Sequence, residues 1–424
     1  MITTIIAFII VFGILVSVHE FGHFIVAKKS GIMVREFAIG MGPKIFAHHY
    51  NGTTYTIRLL PLGGYVRMAG GYDDEESLRP GMTVSLKLND QDKVEQINTS
   101  NKNSLFKGIP LVVTNADLEK GLWIEGYENG DESNVKRYSV DHDAMIIEKD
   151  GTAIQIAPLD VQVQSASVWK RMLTNFAGVF NNVVLAIVAF TIFSFLQGGV
   201  LTNSNQIQVA KTNSVARDAG LKDGDRITAV NGTKTNDWTA LVTNISDKTN
   251  GRPVNLTVER GNQTDQIKLK PKVITSNGKK SAQIGITRGI NTNLGAMLVS
   301  GFTQTFAMVK TLLVAIGTMI TGHFSLNDLG GPVAIFAHTE QAASLGLTGI
   351  VYFIAYLSID LAIMNLLPIP ALDGGKIIMN IIEAIRRKRT SEKVETVVTF
   401  IGFAFMVVLM VLVTWNDIER FFIH

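Results

Sequence analysis

Apolar residues along this chain come in long blocks, and the polar stretches between them alternate in the short rhythm of strands and turns. Residues 1 to 30 are almost wholly apolar up to Lys28 and Lys29, and comparable blocks follow at 172 to 198, 350 to 385 and 395 to 416. A helix needs about 20 mostly apolar residues to cross a bilayer. The blocks therefore predict a polytopic α-helical membrane protein with four transmembrane helices. The third block is interrupted, because Pro368 and Pro370 break a helix while Gly374 and Gly375 free the backbone after them.

Orientation follows from the basic residues flanking the blocks. The first block runs into Lys28, Lys29, Arg35, Lys44, Arg58 and Arg67, the second is preceded by Lys170 and Arg171, and the third leads to Lys376 and Arg386 to Arg389. With these ends in the cytoplasm, both termini lie outside. A fifth apolar stretch, 294 to 320, carries Lys310 near its middle. If it crossed, the basic cluster at 386 to 389 would fall outside. Residues 294 to 345 are therefore expected to form a pair of interfacial helices on the outer surface.

Two polar regions separate the blocks. Residues 72 to 168 are rich in strand-formers broken by Gly, Asn and Asp, as in LWIEGYENGDESNVKRYSV, and predict a β-rich cytoplasmic insert with no chemistry of its own. Residues 205 to 290 contain DAGLKDGDRITAVNG, in which Gly224-Asp225 precedes the β-run 227 to 230 and the Asn231-Gly232 turn. This resembles a PDZ domain, a fold that takes up an extended peptide as an added strand. Any small β-rich domain is the other reading.

Composition then narrows the chemistry. At 46% hydrophobic residues the chain uses lipid as part of its solvent, and its net charge of +3 over 424 residues gives no sign of a nucleic-acid partner. There are no cysteines, so histidine and carboxylate are the strong metal ligands that remain. The opening MITTII lacks the basic n-region and small-residue cleavage site of a secretory signal, and the first block is expected to stay as an anchor.

Within that anchor stands HEFGH, residues 19 to 23. On a helix His19 and His23 share one face a turn apart, where two imidazoles can hold one metal ion. Glu20 projects beside them, where a carboxylate can take a proton from an attacking water. Three polar residues lining a helix contact are the alternative, weakened because ionisable groups in lipid are costly and usually functional. A third ligand is on offer in MNLLPIPALDGGK, residues 364 to 376, where Asp373 follows the proline break at the same leaflet as His23. Taken alone, Asp373 reads equally well as a helix cap.

HEFGH in the first block, NLLPIPALDGG in the third and a PDZ-like region between them resemble the site-2 protease family of intramembrane zinc metalloproteases, in particular its Gram-positive bacterial members. The resemblance covers almost the whole chain and is weakest over residues 75 to 165. It implies Zn2+ held by His19, His23 and Asp373, Glu20 as general base, and a substrate-holding role for Asn365. It also implies that residues 50 to 70, TYTIRLLPLGGYVRMAG from 54 onward, form a membrane-associated β-hairpin turning at Gly63-Gly64, with Tyr65 following, to present unwound substrate as an added strand. In the second block the family often has Gly-Pro-x-x-Asn; Gly178 and Asn182 match, with Val179 at the proline position. The expected substrates are transmembrane segments of pre-trimmed proteins such as anti-sigma factors, remnant signal peptides and peptide-signal precursors, with a PDZ domain outside the cell membrane as a size gate. A proteolytically inactive PDZ-bearing chaperone or adaptor, which would bind no metal, is the competing function. A zinc transporter should show paired half-repeats and a polar path to the outer side, and neither is present.

Overall fold

The computed structural model describes residues 2–70, 78–100, 108–210, 212, 214–246, 251–276, 279–322 and 325–420. The first predicted block is one helix, α1 (Ile2–Lys29), whose buried residues Thr4, Ala7, Val11, Leu15, His19, Gly22, His23 and Ala27 trace a single stripe at helical spacing. Two long strands follow, β1 (Val34–Tyr50) and β2 (Thr53–Met68). Then come β3 (Thr83–Leu88), β4 (Val94–Asn98), β5 (Ile109–Asp117), β6 (Trp123–Glu128), β7 (Val135–Ile147) and β8 (Ala153–Gln155), leading into helix α2 (Val168–Leu196).

The chain next forms β9 (Val200–Leu201), β10 (Ile207–Val209), α3 (Val215–Asp218), β11 (Arg226–Val230), β12 (Thr233–Lys234), α4 (Trp238–Ser246), β13 (Val254–Arg260), β14 (Gln263–Leu269), β15 (Lys272–Ser276), β16 (Lys279–Gln283), β17 (Ile286–Arg288) and β18 (Ile290–Asn291). It ends in helices α5 (Leu294–Ile320), α6 (Pro332–Ser344), α7 (Gly346–Leu366), α8 (Asp373–Arg386) and α9 (Glu392–Ile418). Contacts divide it into two compact units, Met1–Ala189 with Thr305–His424, and Phe190–Gln304.

Five described helices, rather than the expected four, are long and apolar enough to cross a membrane: α1, α2, α5, α7 and the Lys393–Ile418 part of α9. The additional one is α5, expected as half of a surface pair. It is continuous over 27 residues, and its Met308, Val309, Leu312 and Ile316 pack on Ala186 of α2 and Ile359 and Ile363 of α7. That half of α5 is thus a member of the helix bundle. The shorter α6 starts at Pro332, and Asp417, 1% exposed near the end of α9, accepts hydrogen bonds from Gly331 N and Ala334 N at 3.0 Å each. A carboxylate from another helix thereby caps α6, satisfying orphan donors at the positive end of its dipole.

The β-structure near α1 also differs from expectation. Its turn is Asn51-Gly52, with Tyr50 opposite Thr53, and Gly63-Gly64 lies inside β2. Both strands bend midway, so residues 36–39 pair with 54–57 on one side and with 64–67 on the other. The pairs Glu36 with Thr54 and Ile39 with Ile57 run in the same direction, whereas Glu36 with Arg67 and Ile39 with Gly64 run in opposite directions. Four short segments therefore lie in the order 46–50, 53–57, 36–39, 64–67. The last is an edge segment, with no described strand on its far side. Exposed Met41, Ile45, Phe46, Leu59 and Leu60 form an apolar tip at the bends.

The predicted β-rich insert is a closed barrel in its described part; residues 72–77 and 101–107 of that prediction lie outside the described residues. Strands run in the order β4-β3-β5-β6-β7, and a parallel pairing of β4 with β7 completes the ring around Leu86, Val94, Ile97, Leu111 and Ile124. β8 adds to β7 beyond the closure.

The unit Phe190–Gln304 builds its core from Ile207, Leu221, Ile227, Leu241, Val254, Leu256 and Val258, beneath the sheet β12-β11-β13-β14 and the helix α4. A buried Asp225 ties it together, receiving both Arg260 Nε and Nη2 at 2.7 Å and Lys222 N at 2.9 Å.

Candidate metal centre

His19 and His23 sit on the buried stripe of α1, and Asp373 is the first residue of α8. What brings a carboxylate from 350 residues away to the same point is the break in the third block. α7 ends at Leu366 because Pro368 and Pro370 cannot continue it, and α8 restarts at Asp373. Gly374 lets the new helix begin tightly against the end of the old one, since a Cβ there would collide with the carbonyl oxygens of Leu366 and Leu367. Ala371 takes the left-handed conformation at φ +87°, a state costing an L-residue about 1–2 kcal/mol.

The three ligand atoms form a nearly equilateral triangle. His19 Nε2 and His23 Nε2 are 3.2 Å apart, and each is 3.2 Å from Asp373 Oδ2. A tetrahedral zinc ion with bonds of about 2.0–2.1 Å separates its ligand atoms by about 3.3 Å, so the triangle matches one face of that tetrahedron. All three residues are 7–8% exposed.

The proton positions make the same point chemically. His23 Nδ1 lies 2.8 Å from the carbonyl oxygen of Thr174, which can only accept, so Nδ1 carries the proton and Nε2 presents a lone pair. That lone pair faces the lone pairs of Asp373 Oδ2, an atom with no hydrogen-bond partner. Electron-rich atoms this close need a cation between them. His19 Nδ1 faces the side-chain amide of Asn182 at 3.1 Å, while Asn182 Oδ1 is buried without a partner. Turning the amide over lets Oδ1 accept from His19 Nδ1–H and removes the orphan. Both imidazoles are then held from behind in the tautomer a metal needs. The residues present fit a zinc ion.

Thr174, Gly178 and Asn182 are spaced four apart and present one face of α2 to the histidines. A Cβ on Gly178 would collide with His23 Nε2, so glycine allows this close approach. The helix is continuous through Val179, and no bend is needed. Ser358 Oγ on α7 donates to Asn182 O at 2.8 Å, and Asn181 Nδ2 donates to Val18 O at 3.1 Å, locking α2 to its neighbours. Thr174, Asn181 and Ser358 are absent from the sequence-based site. Thr174 acts through its backbone and has no side-chain signature, although its spacing to Gly178 and Asn182 was available.

Glu20 stands between the triangle and the edge segment. It lies within electrostatic reach of His19, His23, Asp373 and Lys376, and a Cβ built on Gly64 would be 3.7 Å from Glu20 Cγ and 3.4 Å from Val16 Cγ1. Gly64 thus lets β2 run against α1, whereas a Cβ on Gly63 would meet Met41 of β1 instead. Tyr65 points to the opposite face of the sheet, where its hydroxyl donates to Glu36. Asn365 occupies the last turn of α7, half-buried, eight residues before Asp373.

Comparison with known proteins identifies the family. The family description "Peptidase family M50" matches residues 7–409. A protein of Enterococcus faecalis named "Probable protease eep" is 51% identical over 421 residues, 99% of each chain. A protein of Streptococcus pneumoniae serotype 4 named "Putative zinc metalloprotease" is 46% identical over 423 residues, again 99% of each. Among solved structures, the PDZ domain of an SdrC-like protein from Listeria monocytogenes is 26% identical over 21% of this chain and 90% of its own, with a TM-score of 0.18. The chain belongs to peptidase family M50, the zinc-dependent site-2 protease family.

Proposed function

We propose that this metallopeptidase cuts peptide bonds inside the transmembrane segments of proteins already shortened by an earlier cleavage. Anti-sigma factors, remnant signal peptides and precursors of peptide signals are the substrate classes meant. The observation that carries this reading is the place of the ligand triangle. Two of its corners lie on a helix apolar enough to span a bilayer, beside a sheet edge that no described strand occupies.

A transmembrane helix hides each scissile amide in its own hydrogen bonds and must be unwound before attack. The edge at 64–67 has no described strand on its far side, and an unwound segment adds there as a further strand. Asn365, at the broken end of α7, holds the same segment. His19, His23 and Asp373 hold zinc, with Asn182 and the Thr174 carbonyl fixing the imidazoles. Bound zinc supplies Lewis acidity, which makes water nucleophilic near neutral pH and polarises the scissile carbonyl. Glu20 takes the proton of the attacking water and passes it to the leaving amine.

In this reading both termini and the Phe190–Gln304 unit lie outside the cell membrane and the barrel inside. The outer unit acts as a PDZ domain for extended peptide and a barrier to bulky ectodomains. The test is cleavage of a reporter transmembrane helix by the purified zinc-loaded protein in proteoliposomes. Wild type should cut within the apolar segment, and Glu20→Gln should keep its zinc while losing about 10²–10⁴-fold in rate. Near-normal cleavage by Glu20→Gln, or cuts confined to the flanks of the segment, would refute the proposal.

A further inference from the structure

Glu36 is a carboxylate with 1% exposure in the sheet beside α1, and the chemistry above makes no use of it. Its Oε1 accepts from Thr56 Oγ1 at 2.6 Å and from Arg58 Nη2 at 2.7 Å, and its Oε2 accepts from Tyr65 Oη at 2.9 Å. Thr56 and Tyr65 come from the two segments flanking residues 36–39, and Arg58 from the residue after the first of them. One carboxylate therefore ties three neighbouring segments together, including the edge segment.

The alternation of the sheet gives this a direction. Phe37 packs against Phe24 of α1, Val66 joins the cluster around Ala27, and Ile39 pairs with Gly64, so beyond the irregularity at 34–36 positions 37 and 39 and the even positions of 64–68 face α1. Glu36 and Tyr65 occupy the far face. A slip of one residue would turn Tyr65 toward α1 and remove glycine from the point nearest Glu20. There a side chain would meet Val16 Cγ1 at 3.4 Å and Ala38 O at 2.7 Å. To that steric penalty the Glu36–Tyr65 hydrogen bond adds a polar one, because the slipped register leaves the buried carboxylate without this partner.

We propose that Glu36 is a positioning residue, which through Tyr65 fixes the register and height of the edge at 64–67 beside Glu20 and so sets how firmly a substrate strand is held. This rests on the strand-addition reading given above.

The test uses the full zinc-loaded chain in proteoliposomes, with Glu36→Gln, Tyr65→Phe and the double variant. Zinc content reports folding of the metal centre. Hydrogen exchange reports the backbone at 64–68, and steady-state cleavage of the reporter helix separates KM from kcat. Faster exchange at 64–68, a KM raised about tenfold with kcat within about twofold, and a double variant no worse than Glu36→Gln are the expected results. Unchanged exchange in Glu36→Gln, or additive effects of the two substitutions, overturns the role of Glu36. Faster exchange with unchanged KM overturns the proposal from the other side, because the edge then moves without consequence for substrate and strand addition is wrong. Should Glu36→Gln lose its zinc, Tyr65→Phe alone decides by the same two measurements.

Discussion

His23 Nδ1 on α1 lies 2.8 Å from the carbonyl oxygen of Thr174 on α2, 151 residues further along the chain. The candidate metal centre is therefore shaped from behind by a helix outside the His19, His23 and Asp373 triangle, and its integrity depends on how closely α1 and α2 approach. Gly178→Ala places a methyl group where His23 stands. Zinc affinity should fall by about 10–100-fold, as for loss of an outer-shell partner. Zinc titration of the purified variant checks this, and full affinity would mean that the two helices can separate without cost to the centre.

Asp373→Asn should weaken zinc binding and activity together, since an amide oxygen is a poorer zinc donor than a carboxylate. Asp360, thirteen residues earlier on α7, is the comparison. Asp360→Asn should leave the zinc stoichiometry at one per chain. Metal analysis of both variants decides, and the reverse pattern would remove Asp373 from the ligand set.

Asn262, exposed between β13 and β14, and Asn129, exposed after β6, should lie on opposite sides of the membrane. The chain has no cysteine, so a single cysteine at either position is the sole target for a thiol reagent. Cysteine at 262 should react with an impermeant reagent applied outside intact cells, and cysteine at 129 should react only after lysis. The opposite pattern would invert the orientation drawn from the basic residues.

Acid should loosen the Phe190–Gln304 unit through Asp225. Burial pushes the Asp225 carboxyl up, but the Arg260 guanidinium and the Lys222 amide reverse this and hold its pKa below the ordinary carboxylate range. A depressed folded-state pKa contributes stability above the unfolded value of about 3.9, which is lost as pH falls through the folded one. Hydrogen exchange in β11 and β13 should be steady from neutral pH to about pH 5 and rise below about pH 4, after correction for intrinsic rates. Asp225→Asn should raise exchange at neutral pH and flatten that dependence; an unchanged profile would exclude the pair as its source.

Much of the centre was legible in the chain because its signals are local. HEFGH sets two histidines on one helical face, and the proline break marks where Asp373 can leave the helix. Orphaned ionisable groups in apolar surroundings carry meaning without any partner in view. The turn of the β-structure was also written in the sequence, as Asn51-Gly52, the dipeptide best suited to a tight hairpin. Gly63-Gly64 looked like the turn instead, although Gly64 serves the close passage of β2 along α1. The Thr174 carbonyl and the β4–β7 closure could not be read. A backbone oxygen has no residue identity, and a parallel pairing between distant strands leaves no local pattern. The bundle packing of α5 was missed for a related reason, since charge parity counts crossings and says nothing about which helices touch.

The closed barrel has a consequence for the company it keeps. Strand edges are adhesive, and a domain with open edges would invite the enzyme to pair with itself or with its neighbours. Ring closure through β4 and β7 withdraws most of that surface. At β8, which extends beyond the ring, the outward carbonyls of Ala153 and Gln155 are taken by the Thr54 hydroxyl and the Arg35 guanidinium. Side chains of the bent sheet beside α1 thus blunt that border as well, and the described strands of the barrel offer a foreign strand little edge to join.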